Sequence, residues 1–259
     1  MPWTFAHPAA ALVFRRFGSF SLPLSGLVVG SLAPDFGYYA GGFALATQAH
    51  TARGALLFCV PIGCGVVLLM RWLRPFLIAP LPDPHRAALQ GLPAPSLSSP
   101  GHAVRMIAAV FIGAMTHVTW DAFTHAGGAM VTAIAPLRHE LFAASGRHFA
   151  VYNALQHIST LLGVATLVVA YVRWLVHAVG VDACLRWRTL SEGMLLMGVV
   201  VASALFGFGM ALCETNRQGA WSALVFRGAL HATVAFAVAY ALLALRAMLC
   251  STYGKTGAE

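Results

Sequence analysis

Charge is what this sequence most conspicuously lacks. Asp, Glu, Lys and Arg together make up 9% of its 259 residues, against 59% hydrophobic residues and a mean hydropathy of +0.77. Soluble domains carry roughly 25% charged residues. So few charges cannot cover a water-exposed surface, so lipid must cover much of this one. No stretch of soluble composition is long enough to form a separate domain, and the reading is one membrane domain over 1–259. Acidic residues are the scarcer sign, eight against 16 Lys and Arg, for a net charge of +8. In a soluble protein that excess would suggest nucleic acid. Here the Arg residues stand at the ends of apolar runs, where membrane topology and anionic head groups call for them, and no nucleic-acid partner is expected.

Other signatures are missing too. The five cysteines (Cys59, Cys64, Cys184, Cys213, Cys250) form no CxxC pair and no even framework, which excludes a disulfide scaffold or a cysteine zinc site. They read as small apolar packing residues. No P-loop, GxSxG or dinucleotide fingerprint occurs. The first 30 residues lack the order of a signal peptide, since Arg15 and Arg16 follow the first apolar run, so this segment is expected to stay in the mature protein.

What is present is a set of long apolar runs. A helix crossing the bilayer core needs about 20 mostly apolar residues. Five segments qualify: Gly54 to Trp72, Val104 to His125, Ala154 to Leu175, Gly193 to Cys213 and Ala223 to Leu249. Before them, Pro8 to Phe17 and Leu22 to Ala33 are apolar but short, parted by Gly18-Ser19 and interrupted by Pro23. Neither spans alone, and a hairpin of two half-helices buried by protein fits them best. The expected fold is therefore all-α: a polytopic helical bundle of about five transmembrane helices plus an N-terminal broken-helix hairpin. Residues 75–100 hold seven of the 13 prolines and are expected to form a loop that is never helical for long. Residues 251–259 read as a frayed tail.

Orientation follows from the positive charges. Arg71, Arg74, Arg86 and Arg105 lie between the first two spans, Arg173, Arg186 and Arg188 between the third and fourth, and Arg246 and Lys255 after the fifth. The opposite side has Arg138, Arg147, Arg217 and Arg227. This balance predicts a cytoplasmic C-terminus, an external loop between the second and third spans, and residence in a bacterial inner membrane.

The chemistry concentrates in the second span, His117-Val-Thr-Trp-Asp121-Ala-Phe-Thr-His125. Residues at i, i+4 and i+8 line one helical face, about 6 Å apart per step. Three ionisable groups in line on an apolar helix cost a few kcal/mol each unless something satisfies them. The residues alone leave two readings: a polar stripe or proton path bonded across the bundle, or a metal site, since neutral His and carboxylate are ordinary ligands for zinc-like ions. Topology then adds His157, His50, His7 and Asp35 on the same side. The candidate metal ligands are His7, Asp35, His50, His117, Asp121, His125 and His157. Asp35 and Asp121 are the candidate catalytic carboxylates. Thr51, Thr124 and Gln156 are expected to hold the imidazoles from behind, and Arg53 to contact a phosphate. The remaining histidines (His85, His102, His139, His148, His177, His231) are expected to be loop, interfacial or helix histidines rather than ligands.

The motifs Pro2-Trp-Thr-Phe-Ala-His7-Pro, Gly30-Ser-Leu-Ala-Pro-Asp35-Phe, His50-Thr, Gly113-Ala-Met-Thr-His117-Val-Thr-Trp-Asp121-Ala-Phe-Thr-His125 and Leu155-Gln-His157 resemble a bacterial membrane family, domain of unknown function 4184. They cover residues 1–160, while 161–250 add apolar helices. More distantly, their order is similar to the membrane-bound metal-dependent hydrolases and to the ligand order of zinc-dependent phospholipase C. That second resemblance implies terminal ligands at His7, His50, His117, His125 and His157, a bridging Asp121 or Asp35, and zinc as the cofactor, with manganese or iron as variants. Position 161 is Leu where the family motif carries an acid, and His7 is not an N-terminal residue, so two ions are implied rather than three. The function so implied is hydrolysis of a phosphoester, a membrane phospholipid being the attractive substrate, at the outer membrane interface. The alternatives are a structural metal, an ion or proton path, and an iron-dependent oxidase at the same ligands.

Overall fold

A computed structural model describes residues 3–17, 20–92, 99–144, 147–185, 190–214 and 221–256. Five helices in it are long and apolar enough to cross a membrane. The Gly18-Ser19 break, the 93–98 part of the proline-rich stretch, Arg186, Arg188, Arg217 and the tail residues 257–259 lie outside the described residues.

The N-terminal hairpin forms, with its arms built differently from two simple half-helices. The first arm is a 3-10 turn, a single helical turn α1 (Pro8–Ala11) and a second 3-10 turn (Leu12–Arg15). Strands β1 (Arg16–Phe17) and β2 (Phe20–Ser21) close the reversal, pairing Arg16 with Ser21, and α2 (Leu24–Leu32) returns. Pro8 at the first position of α1 is where a missing N–H costs nothing. A 3-10 turn (Ala33–Asp35) and the helices Phe36–Tyr39 and Phe43–Ala49 then lead to the first span, α3 (Ala52–Trp72). Its residues Ala55–Cys59 adopt π geometry just before Pro61, which has no N–H to give to Leu57, so a widened register replaces the lost bond.

The second span, α4 (Pro100–Thr124), packs along α2 through small residues. A Cβ on Gly30 would collide with the carbonyl of Val110, and one on Gly113 with the carbonyl of Leu27. Backbones can approach this closely only where both side chains are absent. Val29, Val67, Met106 and Val110 form one buried cluster and Ala33, Ala49, Ala55, Cys59 and Ala114 another, so α3 is held against the same helix. The link after α4 carries a short helix (Ala129–Ala133) and an antiparallel hairpin of β3 (Glu140–Ala144) and β4 (Arg147–Ala150), an element the apolar periodicity does not announce. The third span, α5 (Val151–Val179), follows without a break.

The chain divides into two compact units, Met1–Leu69 with Ala94–Tyr171, and Met70–Pro93 with Val172–Glu259. No compositional boundary marks this division because both units are equally apolar. In the second, helices α6 (Leu190–Glu214) and α7 (Trp221–Thr256) pack together, a Cβ on Gly207 meeting the backbone of Ala232. At the end of α6, Glu214 lies 3.1 Å from His231 and 3.7 Å from Arg227. Among its described residues the proline-rich stretch forms only brief helices, Arg74–Ile78 and His85–Gln90, tied by Arg74 donating to the Leu89 carbonyl at 2.6 Å, and the Tyr240 hydroxyl donates to the Leu77 carbonyl. One expectation is corrected: α7 runs through Thr256 instead of fraying at Ser251. Extending a long helix costs no new nucleation.

Candidate metal centre

Every donor in the centre belongs to the first unit, and most come from places where helical backbone ends. His7 is the residue before α1, Asp35 closes the 3-10 turn after α2, and His50 follows the helix Phe43–Ala49. His117 and Asp121 lie one turn apart inside α4, and His125 caps its C-terminus in extended backbone. Helix ends let side chains from three separate segments reach one point on α4.

There they converge around Asp121. One carboxylate oxygen, Oδ2, lies 3.5 Å from His50 Nε2 and 3.4 Å from His117 Nε2. Asp35 Oδ1 faces the same two nitrogens at 3.2 and 3.7 Å. The other oxygen of Asp121, Oδ1, lies 3.6 Å from His7 Nε2 and 3.5 Å from His125 Nδ1. Ligands at 2.0–2.1 Å from a tetrahedral zinc are separated from each other by about 3.3 Å. The observed spacings match that edge length, and two overlapping groups (His7, His117 and Asp121; Asp35, His50 and His117) each bring three donor atoms within 4.8 Å of one another. The rings of His7 and His117 stack at 3.7 Å.

The imidazoles are oriented from behind. His117 Nδ1 lies 2.7 Å from the carbonyl oxygen of Ser31, and His50 Nδ1 lies 2.7 Å from that of Ala46. A carbonyl can only accept, so in both rings Nδ1 carries the proton and Nε2 presents a lone pair inward. His125 Nδ1 meets the Asp121 carbonyl at 3.2 Å and the Thr124 hydroxyl at 3.3 Å. Asp35 is steered in the same way: Thr4 donates its hydroxyl to Oδ2 at 2.6 Å, Tyr39 donates to Thr4 at 3.3 Å, and Oδ1 faces the nitrogens.

Among the described residues, the buried side-chain nitrogen and oxygen atoms without a hydrogen-bond partner are six: Nε2 of His7, His50, His117 and His125, and Oδ1 of Asp35 and Asp121. Each such atom costs a few kcal/mol in an apolar interior, and native proteins satisfy nearly all of them. Six in one place, all lone-pair donors of types zinc accepts, fit a cation site. Electrostatics agree. Burial, aided by His117, pushes the His7 imidazole down to about 3, so it stays neutral. Burial would raise Asp35, yet the neighbouring His50 and His117 and the bond from Thr4 hold it below the ordinary carboxylate value. Burial would lower His50, but Asp121 and Asp35 outweigh it and push this group up to about 10. The two carboxylates thus favour a positive charge at His50 Nε2: a proton when no cation is present, which a bound metal would displace.

The centre is closed on one side and open on the other. His117 and Asp35 are fully buried, whereas the His50 and His125 side chains are 18% and 30% exposed. The ring of Tyr38 flanks His50 at 5.8 Å on this open edge.

Of the seven ligands expected from sequence, the structure therefore brings six together. The seventh, His157, is exposed on α5 and stacks on Phe149 at 6.0 Å, away from the converging atoms. Thr124 does contact an imidazole. Thr51 instead caps the start of α3, accepting from the Gly54 N–H at 2.9 Å. The contact described for Gln156 is its backbone carbonyl accepting from Ser159 and Thr160, and Arg53 is exposed in the first turn of α3. Three of the histidines expected to lie elsewhere have other partners: His102 bonds Ser99, His148 Glu140 and His231 Glu214. Sequence reasoning missed Thr4 and the carbonyls of Ser31 and Ala46. Thr4 had a faint signal in its place three residues before His7; backbone carbonyls have none.

The sequence profile of the domain of unknown function DUF4184 matches residues 1–250, so the chain belongs to that family. No curated protein and no solved structure matches the chain.

Proposed function

We propose that this DUF4184 member is a membrane-bound, metal-dependent hydrolase whose His/Asp cluster holds two divalent ions, zinc first among them, and cleaves a phosphoester at the membrane–water interface. The observation that carries the proposal is the convergence of six unpartnered buried donors around Asp121. Asp121 divides the set. On its Oδ2 side stand His50 and His117, which also face Asp35, and Asp35, His50 and His117 form one three-donor group that leaves a position open. On its Oδ1 side stand His7 and His125, leaving room for a further ligand. A structural zinc site is closed by four protein ligands, and a catalytic one keeps a position open.

A pair of such ions supplies an activated water at neutral pH and charge stabilisation for the phosphoryl oxygens. The chain's own residues do the rest. His117 and Asp35 fix the closed side, with Thr4 and the Ser31 carbonyl setting their direction. His50 and His125 border the side from which substrate arrives. Arg53, exposed three residues past His50, is the candidate to pair with the phosphate. The arginine distribution supports action at the outer face of an inner membrane, with the C-terminus in the cytoplasm. The complete burial of His117 and Asp35 favours a second reading, a purely structural metal, in which the same ligands hold the fold together.

The test is elemental mass spectrometry on protein purified in mild detergent without chelator, beside a His117→Ala/Asp121→Ala double variant. About two equivalents of metal in the parent, mostly lost in the variant, support the site and justify a phosphoester screen. Less than about half an equivalent, unchanged after reconstitution with metal, ends the hydrolase proposal. If metal is bound and Asp35→Asn keeps it while phosphoester cleavage is lost, the enzyme reading is favoured. Unfolding on chelation with no cleavage of any phosphoester favours the structural one.

A further inference from the structure

The link between α4 and α5 carries an element for which the metal centre has no use. In the hairpin of β3 and β4, Phe142 pairs with Phe149, their rings stacked at 4.7 Å, and the His157 ring continues the stack at 6.0 Å. Side chains alternate between the faces of a strand. The opposite face therefore carries Ala143 and His148, and there His148 Nδ1 meets the Glu140 carboxylate at 2.6 Å. The aromatic pair thus has one face, shared only at the hairpin's tip with the Ala144–Arg147 pair, and the register shift between Glu140 and Phe142 brings Glu140 to the His148 face. Yet Phe142 is 55% exposed and Leu141 beside it 50%, and a two-stranded hairpin alone is at best marginally stable in water.

What covers the aromatic face follows from connectivity. The hairpin continues directly into α5, and the link that contains it begins at the end of α4. Both helices are long and apolar enough to span a bilayer, so a segment joining them lies at the membrane boundary whichever face that is. Amphipathic aromatic elements at that depth sit among head groups and upper acyl chains. We propose that the β3–β4 hairpin is a membrane-interface wing, with Phe142 and Phe149 directed into the lipid and Glu140 and His148 toward water.

The wing shares its level with the metal centre. Trp120, next to Asp121, donates to Ser159 at 3.1 Å, and Ser159 lies two residues beyond the His157 on which the wing rests. At 1.5 Å per residue, Asp121 is about 5 Å from the end of α4 nearest the wing and about 31 Å from the other. The wing itself stands whether or not metal is bound. If the hydrolase reading also holds, the cluster lies at head-group depth, where the phosphoester of a membrane amphiphile would be presented.

Spin-label accessibility tests this without reference to metal or activity. The full chain, with Cys184, Cys213 and Cys250 replaced by Ser and the buried Cys59 and half-buried Cys64 kept and checked for labelling, is reconstituted in vesicles of phosphatidylcholine and phosphatidylglycerol. A label at Phe142→Cys is expected to relax several-fold more readily with dissolved oxygen than with a water-soluble nickel chelate, and a label at His148→Cys the reverse. Phe149→Cys, on the same face, serves in place of a Phe142 variant that does not fold. Equal access of the chelate to both faces would overturn the proposal. So would protection at Phe142 that appears only as the protein-to-lipid ratio rises, which would assign the face to a second copy of the chain.

Discussion

His117 points its Nδ1 at the carbonyl oxygen of Ser31, 2.7 Å away and 86 residues earlier in the chain. That contact joins the second span to the N-terminal hairpin and leaves Nε2 aimed at Asp35 and Asp121. It explains why a histidine that is 0% exposed can sit in an apolar helix: one nitrogen is satisfied by backbone and the other is reserved for a ligand.

His117→Ala is accordingly expected to strip most of the bound metal from the purified protein, because both candidate ligand groups include this residue. His231→Ala, whose ring already meets Glu214 in the other unit, should leave the metal content unchanged. Elemental analysis of the two variants beside the parent decides the matter. Equal metal loss in both would mean that retention does not depend on the ligand groups that His117 joins.

Thr4 acts one step further out. Its hydroxyl fixes Asp35 Oδ2, so Thr4→Val should weaken metal retention by about 10–100-fold, the usual cost of removing a group that orients a ligand. Thr4→Ser keeps the hydroxyl and should retain near-parental affinity. Competition with a chelator of known affinity measures both, and indistinguishable Val and Ser variants would remove Thr4 from the centre.

The path from Gly30 and Gly113 to the cluster is mechanical. Each lies against backbone of the opposite helix, so Gly30→Ala or Gly113→Ala must push α2 from α4, an overpacking worth about 1–3 kcal/mol. Because Ser31 follows Gly30 directly and Asp35 lies five residues on, the same substitutions should also loosen the metal. Gly65→Ala, with open space around its Cβ, should be neutral or stabilising by up to about 1 kcal/mol. Thermal unfolding in detergent, followed with metal content, separates these outcomes. A stable, fully loaded Gly113→Ala protein would contradict the close approach.

The sequence made the five spans legible because lipid demands a run of apolar residues that nothing else in the chain imitates. The His117/Asp121 pair was equally plain, since ionisable groups at helical spacing stand out on an apolar background. The inclusion of His7, Asp35 and His50 came from topology and family likeness rather than spacing. Their meeting point depends on how tightly α2 packs against α4, which only the glycines hinted at. What stayed hidden was carried by backbone or by weak patterns: the carbonyls of Ser31 and Ala46, and the β3–β4 hairpin, whose strands are too short to show a period. Division into two units left no trace, because lipid imposes one composition on both.

His157 and His125 give the last discriminating pair. Both flank the link between α4 and α5 and both looked like ligands, but the structure separates them: His125 brings Nδ1 to 3.5 Å from Asp121 Oδ1 and buries an unpartnered Nε2, while His157 lies under Phe149. His157→Ala should therefore keep the parental metal content and alter only the hairpin, seen as increased proteolysis within residues 140–150. His125→Ala removes a donor from the open half alone. About half of the metal should be lost, with the group of Asp35, His50 and His117 still loaded. If His125→Ala empties both halves together, the two positions load cooperatively through Asp121. If His157→Ala empties either, this histidine ligates after all, and the division drawn between the two is wrong.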